Sequence, residues 1–479
     1  MSESLKEKTA RGLFWGGISN SLYQLLGLFF GIFLARLLTP DDYGMIGMLT
    51  IFSAVANSIQ ESGFTQALTN RKDAGQDDYN AVFWFSLCTG GVLYLLLFFC
   101  APLIANFYHT PALVPLARFL FLGFLISSAG TAHNAILFKN LMVKEKAKAM
   151  LTALTVSGTL GVIMAYYGMA YWGIATQNVV YIFTFNLLLW HYSPWRPTWS
   201  FHFQPIREML PFSIKLLITN VFHFVNDNIF SVLLGRFYTK QEVGYYTQAN
   251  KWTNMGHTLI TGVVNSVSQP IMVEAGANPD RQRKVFRKML RFTAFISFPL
   301  MFGLALIAPE FITIAITDKW LPSAAIMQIL CIWGAFLPIN YIYTNQLISK
   351  GKSNVYMWNT IIQNLVQLLV LLLTVSYGIY VMAAIYVTIN ILWLFVWHYF
   401  VWQLIRITLW NVMKDITPYL SITAISLTAG YFAAKAFSNI YICLINKIVV
   451  TALVYIIILW SSKSVIFHES INFLLKRRK

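Results

Sequence analysis

The sequence predicts an all-α polytopic membrane protein of about fourteen transmembrane helices, two six-helix lobes in parallel repeat followed by two C-terminal helices. Three observations carry this. Hydrophobic residues make up 57% of the 479 and charged ones 11%, with a mean hydropathy of +0.60, whereas a soluble chain carries about a quarter charged residues. The apolar residues fall into blocks of roughly 20, the length that crosses a hydrocarbon layer about 30 Å thick. A sequence repeat recurs at an offset of 200 residues.

In chain order the blocks cover 13–35, 43–68, 82–104, 114–137, 150–168 and 171–191, then 211–234, 243–270, 289–315, 325–348, 355–376 and 379–402. A last pair lies near 416–435 and 441–461. In lipid the backbone must satisfy its own hydrogen bonds, so each block reads as a helix. Tight hairpins are expected around Gly168 and Gly378, and Trp15, Tyr171, Trp172 and Tyr399 sit near span ends as interfacial anchors. The start, MSESLKEKTARGLF, is polar and basic, and no small-residue cleavage site follows the first block, so no removable leader is expected. Cys88, Cys100, Cys331 and Cys443 lie far apart inside apolar blocks; they read as small buried hydrophobes, neither disulfide-bonded nor metal-binding.

The net charge of +17 is topological. With both termini in the cytoplasm, the inside loops hold 26 of the 35 Lys and Arg, including Lys139–Lys148, Arg281–Arg291 and the KRRK tail. The alternate loops hold seven: Arg36, Arg118, Arg236, Lys240, Lys319, Lys435 and Lys447. The remaining two, Lys215 and Lys251, are assigned to the spans themselves. This alternation is the positive-inside rule, which supports an even number of spans and leaves no role for nucleic acid.

The repeat aligns Phe33–Ile46, FLARLLTPDDYGMI, without gaps to Leu233–Tyr246, LLGRFYTKQEVGYY. Arg36 matches Arg236, Thr39 matches Thr239, and Gly44 matches Gly244. The offset maps six spans onto six in the same direction. This predicts an N-terminal lobe over 1–195, a C-terminal lobe over 205–405, and an added two-helix segment with a basic cytoplasmic tail over 410–479. Transporters built from parallel repeats bind substrate between the halves and rock them alternately.

Polar residues step by three or four along several spans. Span 8 carries Thr247, Lys251, Asn254, Thr258, Thr261, Asn265 and Ser268, and span 7 carries Asn220, His223, Asp227 and Ser231. Span 2 carries Thr50, Ser53, Asn57 and Glu61; span 1 carries Asn20, Gln24, Gly27 and Gly31; span 11 carries Asn359, Gln363 and Gln367. Such stripes also arise as glue between packed helices. On span 8 a cavity lining is favoured, because seven successive polar positions exceed the needs of one seam. Lys251 and Asp227 lie at matched depth, roughly 12 Å inside the outer end at 1.5 Å per residue, where they pair with each other or serve substrate. Lys215 near the inner end is placed to snorkel, and Glu61 closes span 2 close to the basic loops.

No catalytic constellation is present in the sequence. The eight His are scattered singly, no phosphate-cradling Gly-rich loop occurs, and the inside loops are too short for a catalytic domain, so a transporter rather than an enzyme is expected.

At three segments the chain resembles the bacterial polysaccharide exporters, the Wzx-type flippases of the multidrug/oligosaccharidyl-lipid/polysaccharide superfamily. These are FLARLLTPDDYGMIGML, the stretch ESGFTQALTNRKDAGQDDYNAVFWFS over Glu61–Ser86, and FVNDNIFSVLLGRFYTKQEVGYYTQANKW over Phe224–Trp252. The resemblance spans essentially the whole chain. It implies a V-shaped pair of lobes around a central cavity in the bacterial inner membrane. It implies translocation of an undecaprenyl-pyrophosphate-linked oligosaccharide, a unit of O-antigen, capsule or exopolysaccharide, with no cofactor and with coupling to an H+ or Na+ gradient. It also implies polysaccharide polymerase and glycosyltransferases as partners, and cationic cavity residues that meet the pyrophosphate. Carried over, these are Lys251 and Lys215 on cavity helices with Arg36 and Arg236 near the outer rim, beside Asn254, His223 and Asn57; Asp227 and Glu61 remain for coupling or for a structural ion pair. Independently of the resemblance, a diphosphate needs Lys or Arg donors in a low-dielectric site.

Two other readings stay open. A MATE-like drug or cation antiporter wants acidic residues in a lobe, for which Asp227 alone is thin support. A non-transporting membrane component of a polysaccharide synthesis complex is compatible with the same spans.

Overall fold

The computed structural model describes the backbone of residues 5–61, 64–71, 74–200, 202–274, 276 and 278–476; within these, the side chains of 5–14, 16–18, 56–61, 66, 69–70, 211–212, 215–227, 259, 266–267, 269–270, 470–471 and 473–476 lie outside the description. The described residues contain α-helices and two short 3-10 turns, without a strand. The helices are α1 (Leu5–Leu37), α2 (Pro40–Glu61), α3 (Phe64–Asn70), α4 (Gln76–Phe107), α5 (Leu113–Ser128), α6 (Thr131–Lys139), α7 (Val143–Tyr166), α8 (Tyr171–Tyr192) and α9 (Gln204–Phe237). They continue as α10 (Lys240–Glu274), α11 (Pro279–Ile316), α12 (Leu321–Ser349), α13 (Ser353–Thr374), α14 (Ile379–Ile405), α15 (Leu409–Ala434), α16 (Ile440–Ser461) and α17 (Val465–Lys476).

Nine helices among the described residues are long and apolar enough to span a membrane, and the bent pair α5–α6 makes a tenth. The chain is a multi-pass membrane protein. The long helices outside that set are α2, α9, α10 and α15. Three of these carry the polar stripes of spans 2, 7 and 8. The surface is that of a protein solvated by lipid: Phe99 is 72% exposed and Leu373 71%, while Asn80 and Gln346 are fully buried.

The predicted hairpins at Gly168 and Gly378 are present, with φ of +78° and +89°, a conformation that glycine adopts without a Cβ penalty. Several details differ from expectation. Span 2 ends at Glu61 and a separate short helix, α3, follows. Span 4 is broken by 48° between Ser128 and Thr131, where Gly130 packs tightly against Asn186. The polar tail forms an additional helix, α17. Of the cysteines only Cys331 is buried, and Cys88 is exposed. Arg118 and Lys447, placed with outer loops, lie on α5 and α16.

The chain divides into two compact units, 1–244 and 245–479. In the first, α1 packs on α7, α7 on α8, α4 on α5, and α2 on α9. A small core of Phe64, Leu68, Val82, Ile206 and Met209 joins α3, α4 and α9 at one end. In the second unit α11 is central, packing against α12, α15 and α16, with Phe286, Leu290, Phe298 and Ile312 fully buried along it.

Candidate functional site

The repeat becomes a geometric fact at the starts of α2 and α10. Thr39 N–H and Oγ1 donate to Asp42 Oδ2 at 2.9 and 2.7 Å, and Asp42 N–H donates back to Thr39 Oγ1 at 3.4 Å. Thr239 and Glu242 repeat the three bonds at 3.0, 2.8 and 3.2 Å. Each is a reciprocal N-cap, which satisfies helix-start donors that otherwise lack partners. Alignment by identity passed over Asp42 and Glu242, although Thr-x-x-Asp/Glu before an apolar run is itself a readable signal. Gly44 and Gly244 then meet opposite helix starts. A Cβ on Gly44 would overlap the Lys240 carbonyl, and one on Gly244 would overlap the Pro40 carbonyl.

Arg236, which closes α9, donates from Nη1 to the Phe107 carbonyl at 2.7 Å, meets the His109 ring, and lies 5.3 Å over the Phe107 ring. It therefore braces the α4–α5 turn, and the two segments expected outside are brought together. Arg36 is exposed in the last turn of α1. The segments expected inside also meet within this unit. Arg71 Nη1 lies 2.9 Å from Glu208 and 3.3 Å from Asp78, and Lys139 Nζ donates to the Arg71 carbonyl at 2.8 Å. Residues 193–200 form a strap over the first turns of α4: Asn80 bonds Thr198 and Ser200, Gln76 bonds the Arg196 carbonyl, and Trp84 Nε1 donates to the Thr198 carbonyl at 2.9 Å.

In the second unit the polar stripe of α10 divides. Asn265 and Ser268 both accept from Asn345 of α12, at 3.1 and 2.6 Å, so the inner part of the stripe is glue between helices. Further out the stripe stays open: Asn254 and Thr258 are exposed, and Lys251 is half-buried with its ammonium 5.6 Å from the Trp252 ring. Asn254 Oδ1 lies 2.9 Å from His257 Nε2. On α13 the polar residues face α14: Gln363 donates to Asn390 at 3.1 Å, and Asn359 accepts from Trp393 at 2.9 Å. The stripe of span 11 is thus an internal seam.

Two ion pairs missed in the sequence fasten the last helices to α11. Arg287 grips Asp415 of α15 in a bidentate pair at 2.6 and 2.9 Å, and Lys447 of α16 lies 2.6 Å from Glu310. Lys447 is buried, and its ammonium also reaches the Leu306 carbonyl at 3.2 Å. The signal for the second pair was present, because a lone Lys inside an otherwise apolar block demands a partner. The proposed Lys251–Asp227 pair is not decided, since the Asp227 side chain lies outside the described residues, as do those of Lys215, His223, Asn57 and Glu61. Among the described residues no cluster of three metal-ligating side chains occurs.

The architecture is that of an all-α, multi-pass membrane protein. The chain superposes on the lipid II flippase MurJ, inward closed conformation, with a TM-score of 0.77 over 95% of this chain and 99% of that one, at 17% identity. Residues 33–325 match the family of polysaccharide biosynthesis proteins, and the chain belongs to that family. Relatives include the teichuronic acid biosynthesis protein TuaB of Bacillus subtilis, 24% identical over 90% of this chain and 92% of that one. The lipopolysaccharide biosynthesis protein WzxC of Escherichia coli is 22% identical over 74% and 72%.

Proposed function

We propose that this chain is a flippase that moves an undecaprenyl-pyrophosphate-linked oligosaccharide from the cytoplasmic to the periplasmic leaflet of the bacterial inner membrane by alternating access. Both termini are cytoplasmic in this reading, and an H+ or Na+ gradient drives the cycle. The polymerase and glycosyltransferases of the same polysaccharide are its functional partners. Membership of the polysaccharide biosynthesis family supports the substrate class. The observation that carries the mechanism is the outer stretch of α10, where Lys251 lies on one stripe with the exposed residues Asn254 and Thr258. An ammonium offers three donors on a flexible stem, which suits a diphosphate that must be received and released. Lys215, His223, Asn57 and Arg36 are assigned to the same path. Arg236, held by Phe107 and His109, is assigned to bracing the outer turn.

A cation antiporter needs carboxylates free to exchange ions. Among the described residues, Glu310 and Asp415 are paired with Lys447 and Arg287, so neither is such a carboxylate. The test is a strain lacking the native gene, scored for surface polysaccharide and for accumulated lipid-linked precursor. The wild-type chain should restore the polymer and clear the precursor. Restoration of drug resistance without polymer would replace this reading with the antiporter.

A further inference from the structure

The strap at 193–200 contains Pro194 and Pro197, which bring no amide hydrogen to a backbone ladder. It is therefore held by what reaches it from α4. Asn80 Oδ1 accepts from the Thr198 amide at 3.0 Å and its Nδ2 meets the Thr198 and Ser200 hydroxyls, while Trp84 Nε1 and Gln76 Nε2 donate to the Thr198 and Arg196 carbonyls. Each of these is a neutral hydrogen bond that water can replace at modest net cost. The apolar anchor of the strap is Trp195, buried with its ring 5.9 Å from that of Phe83 and 6.0 Å from that of Tyr79.

Against Trp195 lies His133 of α6, fully buried. Its ring centroid is 5.1 Å from that of Trp195, 4.5 Å from Trp190 of α8 and 6.5 Å from Phe83 of α4. Both imidazole nitrogens are buried without a hydrogen-bond partner among the described residues, and so is Trp195 Nε1. A neutral imidazole tolerates this nest at a cost. An imidazolium brings a charge and two donors into it, and aromatic faces offset a charge only in part. The carboxylates on the neighbouring elements are engaged: Arg71 lies 3.3 Å from Asp78 and 2.9 Å from Glu208, and His202 lies 3.6 Å from Asp77. The cations repel a further positive charge. Lys139 of α6 donates to the Arg71 carbonyl, and Arg196 of the strap folds onto the Ser193 and Trp195 carbonyls. The first turns of α7 add Lys144, Glu145, Lys146 and Lys148, again of net positive sign; α8 adds the exposed His191, and α3 carries no titratable group.

We propose that His133 and the strap form an acid-sensitive latch, in which the α8–α9 connection lies closed over a neutral imidazole and lifts when the ring takes up a proton from bulk water. Of the three rings around His133, those of Phe83 and Trp190 stand on long helices, and that of Trp195 stands on non-helical chain. Trp195 is thus the wall that moves, and lifting it gives water to the imidazole and to its own N–H. The closed form binds no proton at His133, whereas in the open form the ring titrates near the ordinary imidazole value of about 6.5. Closure is therefore fully favoured above that pH and is lost as pH falls below it. Once open, the connection between α8 and α9 is a tether and no longer a clamp on α4. The latch stands whatever the chain carries, because no step of it depends on the flippase reading.

The test is residue-resolved hydrogen exchange on the full chain in nanodiscs, read at the Thr198 amide and corrected for the intrinsic pH dependence of exchange. In the wild type, protection at Thr198 should be steady between pH 8 and pH 7 and roughly thirtyfold lower at pH 5 than at pH 8, the ratio that one proton on a group titrating near 6.5 produces. The hairpin at Gly168, which lies in the same unit, should change less than twofold. His133→Phe and His133→Leu, two ways of filling the nest without a titrating group, should each hold Thr198 within twofold across the same range. Wild-type protection that is equal at pH 8 and pH 5 would overturn the latch without recourse to any variant. So would a fall of the same size in a folded His133→Phe or His133→Leu chain, or a parallel fall at Gly168, which marks acid unfolding of the whole unit.

Discussion

Single residues carry the clearest energetic consequences. Lys447 and Glu310 are mostly withdrawn from solvent and 2.6 Å apart. Removing one partner of such a pair leaves an uncompensated charge and costs about 3–5 kcal/mol, whereas replacing both with apolar groups is far milder. Glu310→Ala should therefore lower the melting temperature in detergent markedly, and Glu310→Leu with Lys447→Met should recover most of it. An additive double mutant would show that the two groups do not interact. At Lys251 the expected loss is functional. Lys251→Glu should abolish export at normal abundance, and Lys251→Arg should keep part of it. If Lys251 serves only an ion pair with Asp227, the swap Lys251→Asp with Asp227→Lys restores export instead. Full export by a well-expressed Lys251→Glu chain would remove the residue from the substrate path.

At the scale of elements, the paired helix starts can be tested against other glycines. Gly44→Ala and Gly244→Ala each force a Cβ into a backbone carbonyl, an overlap that costs about 1–3 kcal/mol. Gly27→Ala and Gly262→Ala meet open space and should be neutral or stabilising, because alanine favours the helix by about 1 kcal/mol. Thermal unfolding of the four variants checks this, and equal behaviour of all four would contradict the close contact. These starts were legible in sequence because a cap and a close approach each admit few residue types, so Thr39, Thr239, Gly44 and Gly244 stood out. The stripe on α10 was only half legible. Periodicity assigns residues to one face but not what lies opposite, and Asn345, which donates to Asn265 and Ser268, is about eighty positions away. The strap was not legible at all, since Thr198 meets Asn80 across 118 residues of sequence without any repeat to announce it.

For the whole molecule the prediction is topological. Within 1–244, the Arg71, Lys139, Arg196 and Glu208 segments gather at one place and the Phe107–His109 turn meets Arg236 at another. Within 245–479, Arg283 reaches the Ile405 carbonyl, Arg287 reaches Asp415, and Lys288 reaches Glu469. These are the groupings that alternating basic loops require. With the four native cysteines replaced, a single cysteine at 283 should resist impermeant label from the periplasm, and one at 240 should react. The reverse pattern would invert the orientation. The reciprocal glycines also constrain any motion at the starts of α2 and α10. Each helix rests a carbonyl on the bare Cα of the other, like two bearings on one shaft. A slide along either axis would carry the bare Cα away from the facing carbonyl and bring side chains of that helix face onto the bearing surface, so axial sliding is opposed at both points together. Any displacement of these starts has therefore to keep Gly44 against the Lys240 carbonyl and Gly244 against the Pro40 carbonyl, or to lose both contacts together.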